Sequence, residues 1–172
     1  MKSGIGTACV LVGKTGLVVA ALMAVNAVGD IYDFQTGKIL AGARSPDGKG
    51  FVNSMDTILC GYNVASPAMS SNTTIGVVAT NADLSKTEIT KVAQMAHDGL
   101  TRTINPVHTQ FDGDTIFGLA TGTLKIKVSA GTVGMIAAAV TAQAVIRAVM
   151  EAEGIPGLPS YRDLQSSPGL YP

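Results

Sequence analysis

Residues 131–153 are apolar nearly all round. A helix without a polar face has to be covered on most of its circumference, so the fold must be layered and this helix must lie between layers. The run 132–150 is long enough to span a bilayer. It carries Gln143 and Arg147, however, and is built of alanine more than leucine, which favours a buried helix. Gly154 and Pro156 end it.

The strands for such a helix to lie on are legible upstream. Residues 7–12 and 17–25 are β-rich runs separated by Gly13-Lys14-Thr15-Gly16, a hairpin pattern. The second run, behind Met1-Lys2, superficially matches a secretory signal, but Lys14 and the glycine turn favour the hairpin. Gly13-Lys14-Thr15 also resembles the end of a phosphate-binding loop. That motif needs glycine where Ala8 stands and a helix afterwards, so it is rejected. Residues 29–54, with Asp33, Gly37, Gly42, Pro46-Asp47-Gly48 and Gly50, read as an exposed loop excursion. A short strand is expected at 57–60, a polar stretch at 66–72 and a strand at 74–80. Ser85-Lys86-Thr87-Glu88 is a capping box opening a helix whose stripe is Ile89, Val92, Ala93, Ala96, Leu100 and Ile104. A further strand is expected at 115–121, and the tail from Ile155 is rich in proline and glycine. The order is α/β, within one domain spanning 1–172.

Composition bounds the setting. Of 172 residues 47% are hydrophobic and 14% charged, against about 25% charged in an ordinary soluble domain. Much of the surface must therefore be buried, in a homo-oligomer or against a missing half. Net charge is zero and there is no basic cluster, which argues against nucleic acid or a membrane surface as partner. Cys9 and Cys60 make neither a metal spacing nor a disulfide framework, so a reducing, cytoplasmic setting is expected.

Polar residues with chemical potential fall in a few places. At Asn72-Thr73-Thr74 the polar stretch meets the strand Ile75-Gly76-Val77-Val78-Ala79-Thr80-Asn81. A backbone cut there would leave Thr73 as a new terminus, whose amine, with an ordinary pKa near ~7.7, could deprotonate its own hydroxyl. The alternative is that both threonines simply open a strand. Phe111-Asp112-Gly113-Asp114 sets two carboxylates two apart, on one face if the chain is extended, where they could hold a substrate ammonium or tune an amine. Alternatively, Asp-Gly-Asp is only a turn. His108 nearby makes a metal site conceivable but supplies no ligand spacing. His97, on the stripe of the capped helix, reads as a packed, hydrogen-bonded histidine.

Taken together, the run 72–82, Lys91 to Leu100, Pro106-Val107-His108-Thr109 and Phe111-Asp112-Gly113-Asp114 resembles the DmpA/BapA-type aminopeptidases. That family includes L-aminopeptidase/D-esterases, β-peptidyl aminopeptidases and nylon-oligomer hydrolases. Residues 24–30 and 39–44 fit as well. The resemblance implies an αββα sandwich of the N-terminal-nucleophile type, formed from a precursor that cuts itself before Ser or Thr. The matching bond is Asn72-Thr73, with 1–72 as the end of one piece and 73–172 as the other.

By that resemblance Thr73 is the nucleophile and its amine the base, and Asn26 helps hold the oxyanion. Asp112 and Asp114 orient the nucleophile and receive the substrate amine, and Lys2 adjusts the nucleophile's surroundings. The implied reaction is acyl transfer to Thr73 from the N-terminal aminoacyl amide or ester bond of a small peptide, amino-acid amide or ester, followed by hydrolysis; it calls for no cofactor and no metal. Family members carry a further stretch before the position of Met1, so the chain is expected to match their C-terminal portion and to leave apolar sheet surface uncovered. Two other readings stand beside this one: acyl transfer of the ornithine acetyltransferase type, and an inactive remnant that serves in association.

Overall fold

The computed structural model describes residues 1–48, 50–61 and 72–166; most of the polar stretch expected at 66–72 lies outside them. The hairpin forms as read, with β1 (Ile5–Val12) antiparallel to β2 (Leu17–Ala24). Strand β5 (Ile75–Thr80) adds antiparallel to β2, and β7 (Thr115–Ala120) adds parallel to β5, giving the order β1-β2-β5-β7. The connection between the parallel pair runs through α2 (Lys86–Thr103), because parallel neighbours need a crossover.

Helix α2 starts where the capping box predicts. Ser85 accepts from the Glu88 amide and Glu88 reaches back to the Ser85 amide, so two orphan donors of the first turn are satisfied. Its buried face includes Val92, Ala93, Ala96, Gly99 and Leu100. Helix α3 (Ala130–Met150) is the apolar one; it packs against α2 on one side and β1 and β2 on another. It is long and apolar enough to cross a bilayer, yet most of its length is buried in this packing. The two helices approach closely at Gly99, where an added Cβ would overlap the Ala138 carbonyl oxygen and come 2.7 Å from Thr141 Cβ.

Alternation assigns the sheet its two faces. Leu17, Val19, Ala21, Met23, Val78 and Ile116 point at the helices and are buried. The opposite face carries Ile5, Leu11, Leu22, Phe117 and Leu119, which are 47% to 66% exposed. Among the described residues the chain therefore forms one helical layer on one main sheet, with the other side of the sheet open.

Three expectations need correction. Residues 29–54 are more than loop: β3 (Asp30–Tyr32) pairs with β4 (Ile39–Ala41) and with β6 (Ile104–Asn105) in a second small sheet. The expected strand at 57–60 is instead α1 (Ser54–Leu59), because the Asn53 side chain accepts from the amides of Met55 and Asp56 and so starts a helix. The tail holds a short helix, α4 (Tyr161–Gln165), opened by a second capping box at Ser160 and Asp163.

The small sheet is organised by Asp30, which is fully buried. Its carboxylate accepts from the Ser54 amide (2.7 Å), the Ser54 hydroxyl (2.9 Å) and the Ala43 amide (3.3 Å), tying the loop after β4 and the start of α1 to β3. Burial raises its pKa above the ordinary carboxylate value, and the three hydrogen bonds oppose that rise.

Two outcomes follow from this packing. Gly99→Val forces helix backbones apart and should cost about 1–3 kcal/mol, read as a lower denaturant midpoint at unchanged slope. Asp30→Ala strands the Ser54 and Ala43 amides and should cost about 1–3 kcal/mol. Because the folded-state pKa of Asp30 is raised, its contribution is complete below the unfolded value near about 4 and declines as pH rises through the folded value. The advantage of wild type over Asp30→Ala should therefore be larger at acid pH than at neutral pH in urea titrations.

Candidate active site

The sheet does not stop where its strands formally end. Beyond Ile75 the chain continues as Asn72-Thr73-Thr74 between the segments that follow β2 and precede β7. The Thr73 amide donates to the Asn26 carbonyl (2.9 Å) and the Asn72 amide to the Phe111 carbonyl (2.9 Å). The Asn72 side-chain amide donates to the Ala27 carbonyl (2.9 Å), and Asn72 forms a parallel bridge to Asp112. The peptide between Asn72 and Thr73 is thus held from both sides.

Its carbonyl oxygen receives two donors. The Gly113 amide lies 2.9 Å from Asn72 O, and the Thr73 hydroxyl donates to the same oxygen at 2.7 Å. Such donors polarise a carbonyl and stabilise negative charge developing on its oxygen. Glycine at 113 is what permits the approach: a Cβ there would stand 2.8 Å from Thr73 Oγ1. The two threonines differ sharply. Thr74 is fully buried and its hydroxyl has no hydrogen-bond partner, whereas Thr73 is half-buried and lines a cavity of about 530 Å³.

That cavity also brings in Lys2 and Asn26, with apolar walls from Ile5, Ile75, Ile155 and Leu158. The Lys2 ammonium is bonded to the Ser3 carbonyl at 2.6 Å. The Asn26 side chain is exposed and also borders a second cavity of about 290 Å³ with Asn72, Gly29 and Gly42. Contact from Asn26 to Thr73 runs through its main-chain carbonyl.

The two carboxylates accept from different sets of donors. Asp112 closes a turn, its amide bonded to the Thr109 carbonyl, and already pairs in parallel register with Asn72. Asp112 accepts from the Val28 amide (3.2 Å) and from the Thr109 amide and hydroxyl (3.1 and 2.8 Å). Asp114 accepts from the Thr74 amide (2.9 Å) through one oxygen and meets His108 Nδ1 at 2.8 Å through the other. Among the described residues no group of three or more His, Cys, Asp or Glu could hold a metal ion.

The structure therefore places Asn26 and Asp112 against the Asn72-Thr73 segment, Asp114 on the Thr74 amide that follows it, and Lys2 on the cavity that Thr73 lines. It adds two elements that the sequence reading passed over, the Gly113 amide and the pairing of His108 with Asp114. The glycine inside Phe111-Asp112-Gly113-Asp114 was the available signal for the first.

Comparison with known proteins identifies relatives of the chain. The chain is 38% identical over 174 residues to an uncharacterized aminopeptidase of Mycobacterium leprae, covering 94% of this chain and 48% of that protein. A corresponding aminopeptidase of Mycobacterium tuberculosis is 37% identical over 193 residues, covering 99% and 54%. A shorter match, 36% over 61 residues, links it to the 6-aminohexanoate-oligomer endohydrolase of Paenarthrobacter ureafaciens, covering 36% of this chain and 17% of that enzyme. The chain spans about half the length of the mycobacterial relatives. Among solved structures it superposes on the L-aminopeptidase D-Ala-esterase/amidase of Ochrobactrum anthropi with a TM-score of 0.57 at 20% identity, over 92% of this chain and 43% of that one. It likewise superposes on a Burkholderia beta-aminopeptidase with a TM-score of 0.52 at 22% identity, over 86% and 42%. At that identity the likeness establishes the fold, described for the Ochrobactrum enzyme as a variant of the Ntn-hydrolase fold. The profile of Peptidase family S58 matches residues 1–161, and the chain belongs to that family.

Proposed function

We propose that the chain carries the processing site and nucleophile of an N-terminal-nucleophile aminopeptidase, with Thr73 in the central role. The observation that carries this reading is the Gly113 amide donating to Asn72 O, with Thr73 Oγ1 held 2.7 Å from the same oxygen and so beside the carbonyl it would attack. In the processing step Thr73 Oγ1 attacks the Asn72 carbonyl carbon. The hydroxyl proton passes to the departing Thr73 nitrogen, and an ester joins Asn72 to Oγ1. Water then hydrolyses the ester, leaving a carboxylate on Asn72 and a free amine on Thr73.

The freed amine is the base for the second reaction. Asn26 O already faces this nitrogen, so one of its protons has an acceptor and its lone pair can turn toward Oγ1. The nucleophile would take the acyl group of an aminoacyl amide or ester, and water would release it. The exposed Asn26 amide suits the oxyanion of that step, because it lines the same cavity as Thr73. Lys2 places positive charge beside that cavity. Asp112 fixes the loop that delivers Gly113, and Asp114 fixes the strand entry at Thr74. The apolar walls suit small, weakly polar acyl groups of short peptides, amino-acid amides or esters. Free thiols at Cys9 and Cys60 are compatible with a reducing cytoplasm.

A second reading, association, is favoured by the open sheet face with Ile5, Leu11, Phe117 and Leu119 exposed. In this reading the face packs against further protein, as in a homo-oligomer.

Intact mass tests the main reading. The chain should resolve into pieces of residues 1–72 and 73–172, and Thr73→Ala should remain whole. A polypeptide that stays in one piece while still hydrolysing aminoacyl amides would end the proposal. Gly113→Ala should slow cleavage by about 10- to 100-fold, because the new methyl displaces Oγ1 from its carbonyl; time-resolved mass spectrometry measures this.

A further inference from the structure

The chain has two histidines, and they meet. His97 Nδ1 lies 3.4 Å from His108 Nε2, with ring centroids 4.9 Å apart and planes tilted by 56°. His108 Nδ1 in turn lies 2.8 Å from Asp114 Oδ2, and Asp114 Oδ1 accepts the Thr74 amide. The Asp114 side chain is only 4% exposed, so both of its oxygens need partners, and these contacts supply one each. His108 is also the one non-glycine residue with positive φ (55°) among the described residues. That backbone state costs about 1 kcal/mol or more and persists only where surrounding contacts impose it.

We infer that His108, backed by His97, is a positioning residue: it locks the Asp114 carboxylate so that its other oxygen pins the backbone immediately after the Thr73 nucleophile.

The donor order is consistent along the whole chain of contacts. His97 Nδ1–H donates to His108 Nε2, His108 Nδ1–H donates to Asp114 Oδ2, and Thr74 N–H donates to Asp114 Oδ1. The first link requires only that His108 Nε2 be unprotonated. Burial, and after it the neighbouring His108, lowers the His97 pKa, while Asp114 and Asp98 pull it upward. Losing the His108 donor frees Asp114 to rotate and loosens Thr74, and through it Thr73 Oγ1. Sub-ångström placement of a nucleophile is where such a change is felt.

The inference rests on Thr73 as the nucleophile, and two measurements separate the two ideas. Nitrogen-15 shifts of the histidine rings at pH 8 should show His108 protonated at Nδ1; a bare Nδ1 overturns the relay whatever Thr73 does. For the cleavage rate at Asn72-Thr73, His108→Ala should lose about 10- to 100-fold. His108→Asn should stay within about threefold of wild type, because asparagine tolerates the left-handed backbone and offers an amide donor. Equal loss in both variants, or none in either, overturns the positioning role while leaving the nucleophile intact. A wild-type chain that is never cut, with His108 nonetheless protonated at Nδ1, removes the reaction and this role with it.

Discussion

The backbone hydrogen bonds on either side of the Asn72-Thr73 peptide are the constraint on which the site depends. Thr73 N–H reaches the segment after β2 and Asn72 O receives Gly113 N–H from the segment before β7, so one peptide is fixed by both neighbours of the central strand β5. A peptide at a loop tip would sample many geometries. Here its carbonyl has one orientation, with the hydroxyl of the following residue already on it. Pre-organisation of this kind is the cheapest contribution a fold can make to catalysis, since the geometry is fixed before any reaction begins.

That rigidity is supplied by the helical layer. Leu17, Val19, Met23 and Val78 are buried on the sheet face that the helices cover, and α3 meets α2 at a separation that Gly99 makes possible. Apolar burial at about 25 cal/mol per Å² is concentrated on this side. The opposite face is also apolar but faces outward, with Phe117 and Leu119 more than half exposed. Low overall charge, which a surface built for water would not have, is explained by that face.

Much of the fold was legible because it rests on local chemistry. The hairpin about Gly13 to Gly16, the capping box at Ser85 and Glu88, and the apolar run of α3 each specify an element without reference to distant residues. Residues 29–54 were misread for the complementary reason. Their strands are three residues long and their turns dominate the pattern, so β3 and β4 exist through Asp30 and through pairing with β6 more than sixty residues away. The strand expected at 57–60 lies within and just beyond helix 54–59, because the Asn53 side chain caps the amides of Met55 and Asp56 and starts a helix there.

The site divides in the same way. Sequence alone determined that a threonine follows an amide at the entry to a buried strand, that two carboxylates flank a glycine, and that the whole resembles one family; these are matters of residue type and order. Tertiary structure alone decided which threonine is accessible, since burial of Thr74 and the cavity beside Thr73 depend on β2 and the N-terminal residues. It also turned Asp112 and Asp114 to different donors and set His97 beside His108, eleven residues apart on a helix and a loop. Hydrogen bonds act over about 3 Å, and only packing brings groups that distant in sequence within that range.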